Sequence, residues 1–174
     1  MKRAALLAAL ALLAACGYHL QGAGGTLPAS VKTVAVLPFA RQVTVLELDQ
    51  RVTEAVTREF VQRARVRVQS TAAGADAVLQ GAVSGYGQIP VSYDPSTGRA
   101  NRFRVVMDAR VVLTDASGKV LYRNDGFHFE EVYDRASQPG SFIQEEAVAY
   151  DVIARDFSRA LVSAILEGDA EPKK

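Results

Sequence analysis

Hydrophobic and polar positions follow two different periods along the chain, and these periods predict its secondary structure. Residues 31–37 are almost entirely apolar and rich in β-branched side chains, which predicts a strand buried on both faces and closed by Pro38. Thr44 and Glu47 have the spacing of a capping box, so a first helix is predicted to begin there. Its apolar residues recur at helical spacing, at Val45, Leu48, Val52, Val56 and Phe60.

The middle of the chain alternates with a period of two, which is typical of strands. A brief strand is predicted at 66–69 and a longer one from Asp76 to Pro90, where Gly81, Gly85 and Gly87 indicate a bend or bulge. The clearest strand has apolar side chains at Phe103, Val105, Met107, Ala109, Val111 and Leu113. Between them lie Arg102, Arg104, Val106, Asp108 and Arg110. One face of this strand is therefore predicted to contact the core and the other to contact water.

Two turns and a second helix complete the pattern. The sequence YDPSTG, residues 93–98, predicts a loop, and residues 115–118 predict a turn into a partner strand. In that strand the apolar residues change from even positions to odd ones, so residues 124–126 are predicted to contain a bulge. A second helix is predicted from the capping box at Ser141 to about Gly168. Its predicted apolar stripe consists of Ile143, Ala147, Tyr150, Ile153, Phe157, Leu161 and Ile165.

The order of these elements predicts the fold class. One strand and one helix precede several mainly antiparallel strands and a final helix. We therefore expect an α+β two-layer sandwich, with two helices packed on one face of a mainly antiparallel, mixed sheet of four to five strands. The domain is predicted to span residues 29–168, followed by a polar tail at 169–174.

The first fifteen residues have the three parts of a secretory signal peptide. A positive start with Lys2 and Arg3 is followed by an Ala and Leu run from Ala4 to Leu13 and by two small residues. The run is too short to cross a bilayer, which needs about 20 apolar residues. We expect residues 1–15 to be removed on export.

The sequence Leu13-Ala14-Ala15-Cys16 resembles the lipobox of bacterial lipoproteins. This resemblance implies that Cys16 becomes the mature N-terminus and carries lipid on its sulfur, and that residues 16–28 form a lipidated tether. Gly17 replaces the Asp that favours inner-membrane retention in enterobacteria, so the resemblance implies the outer membrane, on its periplasmic side. The alternative is that Cys16 is an ordinary buried thiol.

Composition limits the classes of function. The chain has 174 residues, with 20 Lys and Arg against 19 Asp and Glu. Loss of Lys2 and Arg3 with the signal leaves 18 against 19, and this balance does not favour a nucleic-acid partner. Cys16 is the single cysteine, so the mature chain is predicted to contain no intrachain disulfide and no Cys-based zinc site.

No arrangement typical of catalysis is found. The chain has two histidines, and His128 with Glu130 offers two metal ligands where zinc needs three or four. Ser84 lacks the Gly-x-Ser-x-Gly spacing of a nucleophile elbow, and the glycines around it precede no predicted helix that could cradle a phosphate. We predict a protein without enzymatic activity, bound metal or cofactor.

Four stretches together resemble a known family. They read CGYHLQG, LPASVKTVAVLPF, LDQRVTEAVTREF and ADAVLQGAV. They are similar to the lipopolysaccharide-assembly lipoproteins of the LptE family, in a form divergent from the enterobacterial one. The resemblance implies a lipid-anchored outer-membrane protein that plugs and helps assemble the LptD β-barrel translocon. It also implies that the protein binds lipopolysaccharide and assists its insertion into the outer leaflet.

Two surfaces are candidates for these contacts. Arg99, Arg102, Arg104 and Arg110 are predicted to lie on one loop and one wet strand face, where guanidinium groups can bind lipid A phosphates. The alternative is a solvated sheet face whose charges prevent aggregation. The segment from Tyr86 to Arg99 is the candidate for barrel contact, because long loops often carry binding; the alternative is a plain connection.

A second class of function remains open. The sequence VAVLPF after an exported cysteine also resembles other outer-membrane lipoproteins, which face the periplasm and regulate peptidoglycan or Tol-type machinery. Such regulators generally need a long tether, whereas only residues 17–28 are available here. The short tether favours a protein that works close to its membrane.

Overall fold

The computed structural model describes residues 27–64, 66–134 and 142–167, with the side chains of the last range described from Tyr150 onward. Six strands and two helices follow one another in this part of the chain. They are β1 (Thr33–Val36), β2 (Ala40–Arg41), α1 (Leu48–Arg63), β3 (Arg67–Gln69), β4 (Ala77–Tyr93), β5 (Ala100–Asp115), β6 (Val120–Asp134) and α2 (Phe142–Glu167).

The strands form one mixed sheet in the order β3-β1-β4-β5-β6, and β2 also pairs with β4. β1 is parallel to both β3 and β4, whereas β4, β5 and β6 form an antiparallel meander. This confirms the predicted α+β class with a mixed sheet. The sheet has one strand more than the predicted four to five, because two residues of β2 pair with Ala82 and Val83.

The core lies between one face of the sheet and the two helices. The alternating residues of β5 from Val105 to Leu113 are all buried, as the period-two pattern predicted. The predicted helical stripes are buried as well, at Leu48, Val52, Val56 and Phe60 of α1 and at Ile153, Phe157, Leu161 and Ile165 of α2. Both helices pack on the same side of the sheet, because their stripes belong to one core cluster and Arg51 of α1 contacts Asp151 of α2.

The helices run parallel to each other, and polar contacts join them at two levels. Arg51 forms an ion pair with Asp151, and the Nη1 of Arg63 donates to the Oγ of Ser163 at 2.8 Å. Twelve residues separate the two contacts on each helix, which corresponds to about 18 Å. The residue numbers of the two contacts increase in the same order on both helices, so the N-terminal ends of the helices point in the same direction.

Two predicted irregularities of the sheet are confirmed. The β4–β5 register shifts between Val83 and Gly85, and the β5–β6 register gains a residue between Asn124 and Phe127. The second bulge returns Phe127 and Phe129 to the helix side of the sheet, where both are buried. The shift from even to odd apolar positions was therefore a reliable signal.

The predicted start of α1 was wrong. The helix begins at Leu48, and Glu47 has a left-handed backbone with φ of 61° and makes no side-chain capping bond. Its carboxylate contacts Arg51, with Oε2 at 3.3 Å from Nη2, instead of turning back to Thr44. The chain must turn sharply between β2 and the helix layer, so Val45 packs on the core before the helix starts. Ser141 lies outside the described residues.

Gly81 occupies a position where β4 passes directly beneath the ring of Phe39. A Cβ at Gly81 would lie 2.2 Å from Cε1 of this buried ring. We expect Gly81→Ala to lower the free energy of unfolding by about 1–3 kcal/mol, because the ring must leave its packed position. Urea denaturation measures the loss. Gly87→Ala on the same strand is the control, since nothing lies within 4 Å of its added methyl group.

Candidate functional site

The open face of the antiparallel meander, opposite the helices, carries three of the four predicted arginines. Arg102, Arg104 and Arg110 alternate with the buried residues of β5 and are exposed, as the sequence predicted. We call the part formed by Ile89, Arg99, Arg102, Arg104 and Val132 the arginine surface. It lies at the end of the sheet where β4 turns into β5.

Carboxylates on β6 neutralise the two central arginines. The Nε of Arg102 lies 2.7 Å from Oδ1 of Asp134, and the Nε of Arg104 lies 3.2 Å from Oε1 of Glu130. Sequence reasoning did not predict these ion pairs. In the structure, the register of β5 and β6 places Arg102 directly opposite Asp134. A phosphate group that binds here must compete with these carboxylates. Exposed ion pairs of this kind contribute only about 0–1 kcal/mol, so they can open at small cost.

Arg110 does not belong to the same cluster. It lies six residues from Arg104 on β5, which corresponds to about 20 Å. Its Nη2 donates to Oε1 of Gln42, beside β2, at 2.6 Å. One lipid phosphate cannot contact both Arg104 and Arg110, so the structure separates Arg110 from the neighbouring pair Arg102 and Arg104.

Arg99 closes a tight turn organised by Asp94. Oδ1 of Asp94 accepts two hydrogen bonds from Ser96, one from the hydroxyl at 2.5 Å and one from the backbone N–H at 2.7 Å. The backbone N–H of Gly98 donates to the carbonyl oxygen of Asp94 at 2.8 Å. The Ser96 hydroxyl is the main reason that the pKa of Asp94 is lowered. The positive φ of Gly98, 65°, lets the chain return into β5. Arg99 is thus held at the tip by a preorganised turn.

His128 has a partner that sequence reasoning missed. Its Nδ1 lies 2.7 Å from Oδ1 of Asp108, directly across the β5–β6 pair, while its Nε2 is 3.9 Å from Oε2 of Glu130. Gly85 faces Asp108 from β4, and a Cβ there would come within 2.7 Å of Oδ2 of this carboxylate. No group of three or more His, Cys, Asp or Glu side chains in the described ranges is arranged to hold a metal ion.

The candidate segment from Tyr86 to Arg99 is mostly strand, which corrects the expectation of a long loop. β4 continues to Tyr93, so only residues 94–99 connect it to β5. β4, β5 and β6 contain 17, 16 and 15 residues, whereas strands usually have about 5–6. Pairing with β5, which is nearly as long, extends β4 past its last contact with β2. The pattern of one strand alone could not reveal this pairing.

Exposed apolar side chains lie within and beside the arginine surface, and sequence reasoning did not identify them. Ile89, Val91, Tyr93 and Val132 are between 42% and 58% exposed. Ile89 and Val132 are the cross-strand neighbours of Arg104 on either side. An apolar patch next to guanidinium groups is typical of a contact surface rather than of a purely solvated face.

The predicted lipidation site, Cys16, lies outside the described residues, as does the tail at 169–174. Neither helix, in the portions the structure describes, combines the length and hydrophobicity that a membrane-spanning segment requires.

A protein-family model matches residues 31–165 of this chain, and its description is LptE, lipopolysaccharide-assembly. The match includes α1, every strand and nearly all of α2. No curated protein matches the sequence.

Several solved structures have the same fold at low sequence identity. Protein XCC0632 from Xanthomonas campestris is 13% identical with a TM-score of 0.55, covering 84% of this chain and 89% of its own. The hypothetical protein CT253 from Chlamydia trachomatis is 13% identical with a TM-score of 0.53, covering 80% and 97%. The PelC dodecamer from Paraburkholderia phytofirmans is 16% identical with a TM-score of 0.51, covering 82% and 95%. These similarities concern the fold alone.

Proposed function

Because the chain belongs to the LptE family of lipopolysaccharide-assembly proteins, we propose that it plugs and helps assemble an LptD-like β-barrel translocon in the outer membrane. In this role it assists the insertion of lipopolysaccharide into the outer leaflet. The family match over residues 31–165 is the observation that carries the proposal. The family consists of non-enzymatic lipoproteins of lipopolysaccharide assembly, so the chain is not an enzyme.

The dimensions of the sheet are compatible with a plug. The 16 residues of β5 correspond to about 50 Å, which exceeds the ~30 Å hydrocarbon core of a bilayer. A domain of this length can extend through the lumen of a barrel from one membrane surface to the other. Anchoring through lipid on Cys16 would hold one end of it at the periplasmic side.

We assign the contact with lipopolysaccharide to the arginine surface. Arg99, Arg102 and Arg104 can donate charge-assisted hydrogen bonds to lipid A phosphates, and Ile89 and Val132 can contact apolar parts of the same molecule. The Asp134 and Glu130 carboxylates would be exchanged for phosphate oxygens on binding. Arg110 is too distant to take part and is better explained by its bond to Gln42.

Affinity purification of the tagged full-length protein from outer membranes of its native host tests the plug proposal. We expect co-isolation of one large β-barrel protein in a 1:1 ratio, because a plug fills a single lumen. Isolation of peptidoglycan or Tol-type proteins in place of a barrel would contradict the proposal and support the regulatory alternative.

Replacing Arg102 and Arg104 together with glutamine is expected to weaken lipopolysaccharide binding by about tenfold or more. The reason is that a hydrogen bond to a charged group contributes about 1.5–3 kcal/mol. Surface plasmon resonance with the acylated protein measures the change in affinity.

Arg123→Gln is the matched control for this pair of substitutions. Arg123 is similarly exposed, and its Nε also lies 2.7 Å from a carboxylate, that of Asp125, but it stands near the other end of β6. Its replacement is expected to leave binding unchanged. Equal affinities for wild type and the Arg102/Arg104 variant would remove these residues from the proposed contact.

A further inference from the structure

The outer edge of β6 presents a long row of backbone groups. β6 is the last strand of the sheet and, within the described residues, pairs only with β5. It contains 15 residues, whereas β3 at the opposite edge contains three. Neither proline nor lysine, which often protect such edges, occurs between Val120 and Asp134. A sheet edge of this length can accept an additional strand.

The register of the hairpin identifies the groups that face outward. The N–H of Asp115 donates to the carbonyl of Lys119 at 2.8 Å, so the odd-numbered residues of β5 direct their backbone groups towards β6. The even-numbered residues of β5 direct theirs towards β4. Beyond the bulge, their partners on β6 are His128, Glu130, Val132 and Asp134. The N–H and C=O groups of these four residues therefore face away from β5.

The carboxylate of Glu131 covers part of this edge. Its Oε1 accepts a hydrogen bond from the outward N–H of Val132 at 3.4 Å. Unlike the two carboxylates that pair with Arg102 and Arg104, it contacts no cation in the described ranges. An added strand that offers a carbonyl to the N–H of Val132 must displace this carboxylate. A cation on that strand would then stabilise the displaced carboxylate.

The row of side chains that contains Glu131 is otherwise aromatic. Phe127, Phe129 and Tyr133 lie on the same, helix side of β6, and the two phenylalanines are 9% and 8% exposed. Phe157 of α2 packs edge to face against both of them. A neighbouring strand would cover the rest of this row with apolar side chains and would meet Glu131 with a polar one.

Charge decides between a second copy of this chain and a cationic partner. Antiparallel pairing of two β6 edges about Glu131 would place the two Glu131 side chains opposite each other, and pairing about Glu130 would do the same for that residue. Both registers align the outward-facing backbone groups. Like charges directly opposite each other destabilise a strand pair, so this edge disfavours its own copy.

We propose that the edge of β6 at residues 128–134 binds an extended, cationic segment of a partner protein as an added strand. A carbonyl of that segment accepts from the N–H of Val132, and a Lys or Arg of the segment pairs with the Glu131 carboxylate. This interaction surface goes beyond the plug function and does not depend on it.

Titration with two synthetic peptides tests the proposal. The peptide TKTVTKTV carries lysine and valine on one face of a strand, and TETVTETV has the same pattern with glutamate. NMR spectroscopy of the ¹⁵N-labelled mature chain measures binding and amide hydrogen exchange. We expect the lysine peptide to bind at least tenfold more tightly. It should slow exchange at the N–H groups of Glu130 and Val132, and not at those of Phe129 and Glu131, which already face β5.

Two substitutions remove the two parts of the contact. Val132→Pro removes the outward donor without removing a ladder bond to β5, and should weaken binding of the lysine peptide by about tenfold. Glu131→Lys should weaken it by a similar factor and favour the glutamate peptide. Glu54→Lys, at an exposed position of α1, makes the same change of charge and should alter neither affinity. Circular dichroism confirms that each variant is folded.

Three results would overturn the proposal. They are equal affinities for the two peptides, an unchanged affinity for the lysine peptide in the Glu131→Lys variant, and dimerisation of the wild-type chain that Val132→Pro abolishes. Analytical ultracentrifugation measures the last, which would identify a second copy as the occupant. Co-isolation of the barrel is a separate readout, so failure of the strand addition and failure of the plug proposal are distinguishable.

Discussion

Replacing Cys16 with serine is expected to remove the protein from the outer-membrane fraction. The cysteine sulfur is the atom to which the lipobox resemblance assigns the lipid, and a serine hydroxyl is a much weaker nucleophile than a thiolate. Several acyl chains together anchor a protein firmly, at about 0.8 kcal/mol per buried methylene, so their loss removes most of the membrane affinity. Density-gradient separation of the two membranes measures the distribution, and mass spectrometry measures the lipid.

Gly17→Ala is the control for this substitution, since it alters the neighbouring residue and leaves the sulfur in place. We expect it to remain cleaved, acylated and in the outer membrane. A wild-type mass equal to the unmodified chain would contradict the lipidation of Cys16. An undiminished outer-membrane level of the serine variant would show that another part of the protein provides the attachment.

Replacing Phe157 with alanine is expected to cost about 3–5 kcal/mol of the free energy of unfolding. Phe157 is fully buried on α2, and its ring packs edge to face against Phe127 and Phe129, with centroids 5.5 and 5.9 Å apart. The loss combines the transfer of the ring with a cavity beneath the β6 bulge, at a point where helix and sheet meet. Urea denaturation followed by circular dichroism measures it.

Two further substitutions serve as a comparison and a control for this prediction. Phe157→Leu should cost clearly less, because it retains most of the apolar volume. Val120→Ala, at an exposed site on β6, should change stability by no more than about 0.5 kcal/mol. A loss below about 1 kcal/mol for Phe157→Ala would mean that α2 does not depend on this contact.

The candidate site was only partly predictable from the sequence. Alternation along β5 was enough to put Arg102 and Arg104 on the wet face, because successive side chains of a strand point to opposite sides. The carboxylates that neutralise them come from β6, about 30 residues later in the chain. Their identity depends on the β5–β6 register, which the bulge near Asp125 shifts by one residue.

The apolar part of the arginine surface escaped sequence reasoning for a similar reason. Ile89 and Val132 are unremarkable as single residues of two separate strands. They become neighbours of Arg104 only when β4, β5 and β6 pair in this register.

The sequence by itself determined the class of fold, the buried faces of β5 and of the two helices, and the two bulges. Hydrophobic periodicity is a local property that the backbone geometry of helices and strands translates directly into faces. It also carried the family resemblance. The tertiary structure decided the left-handed turn at Glu47, the length of β4, the parallel alignment of the helices and the carboxylates that pair with Arg102 and Arg104. These features depend on contacts between distant segments, and only the packed chain fixes which segments meet.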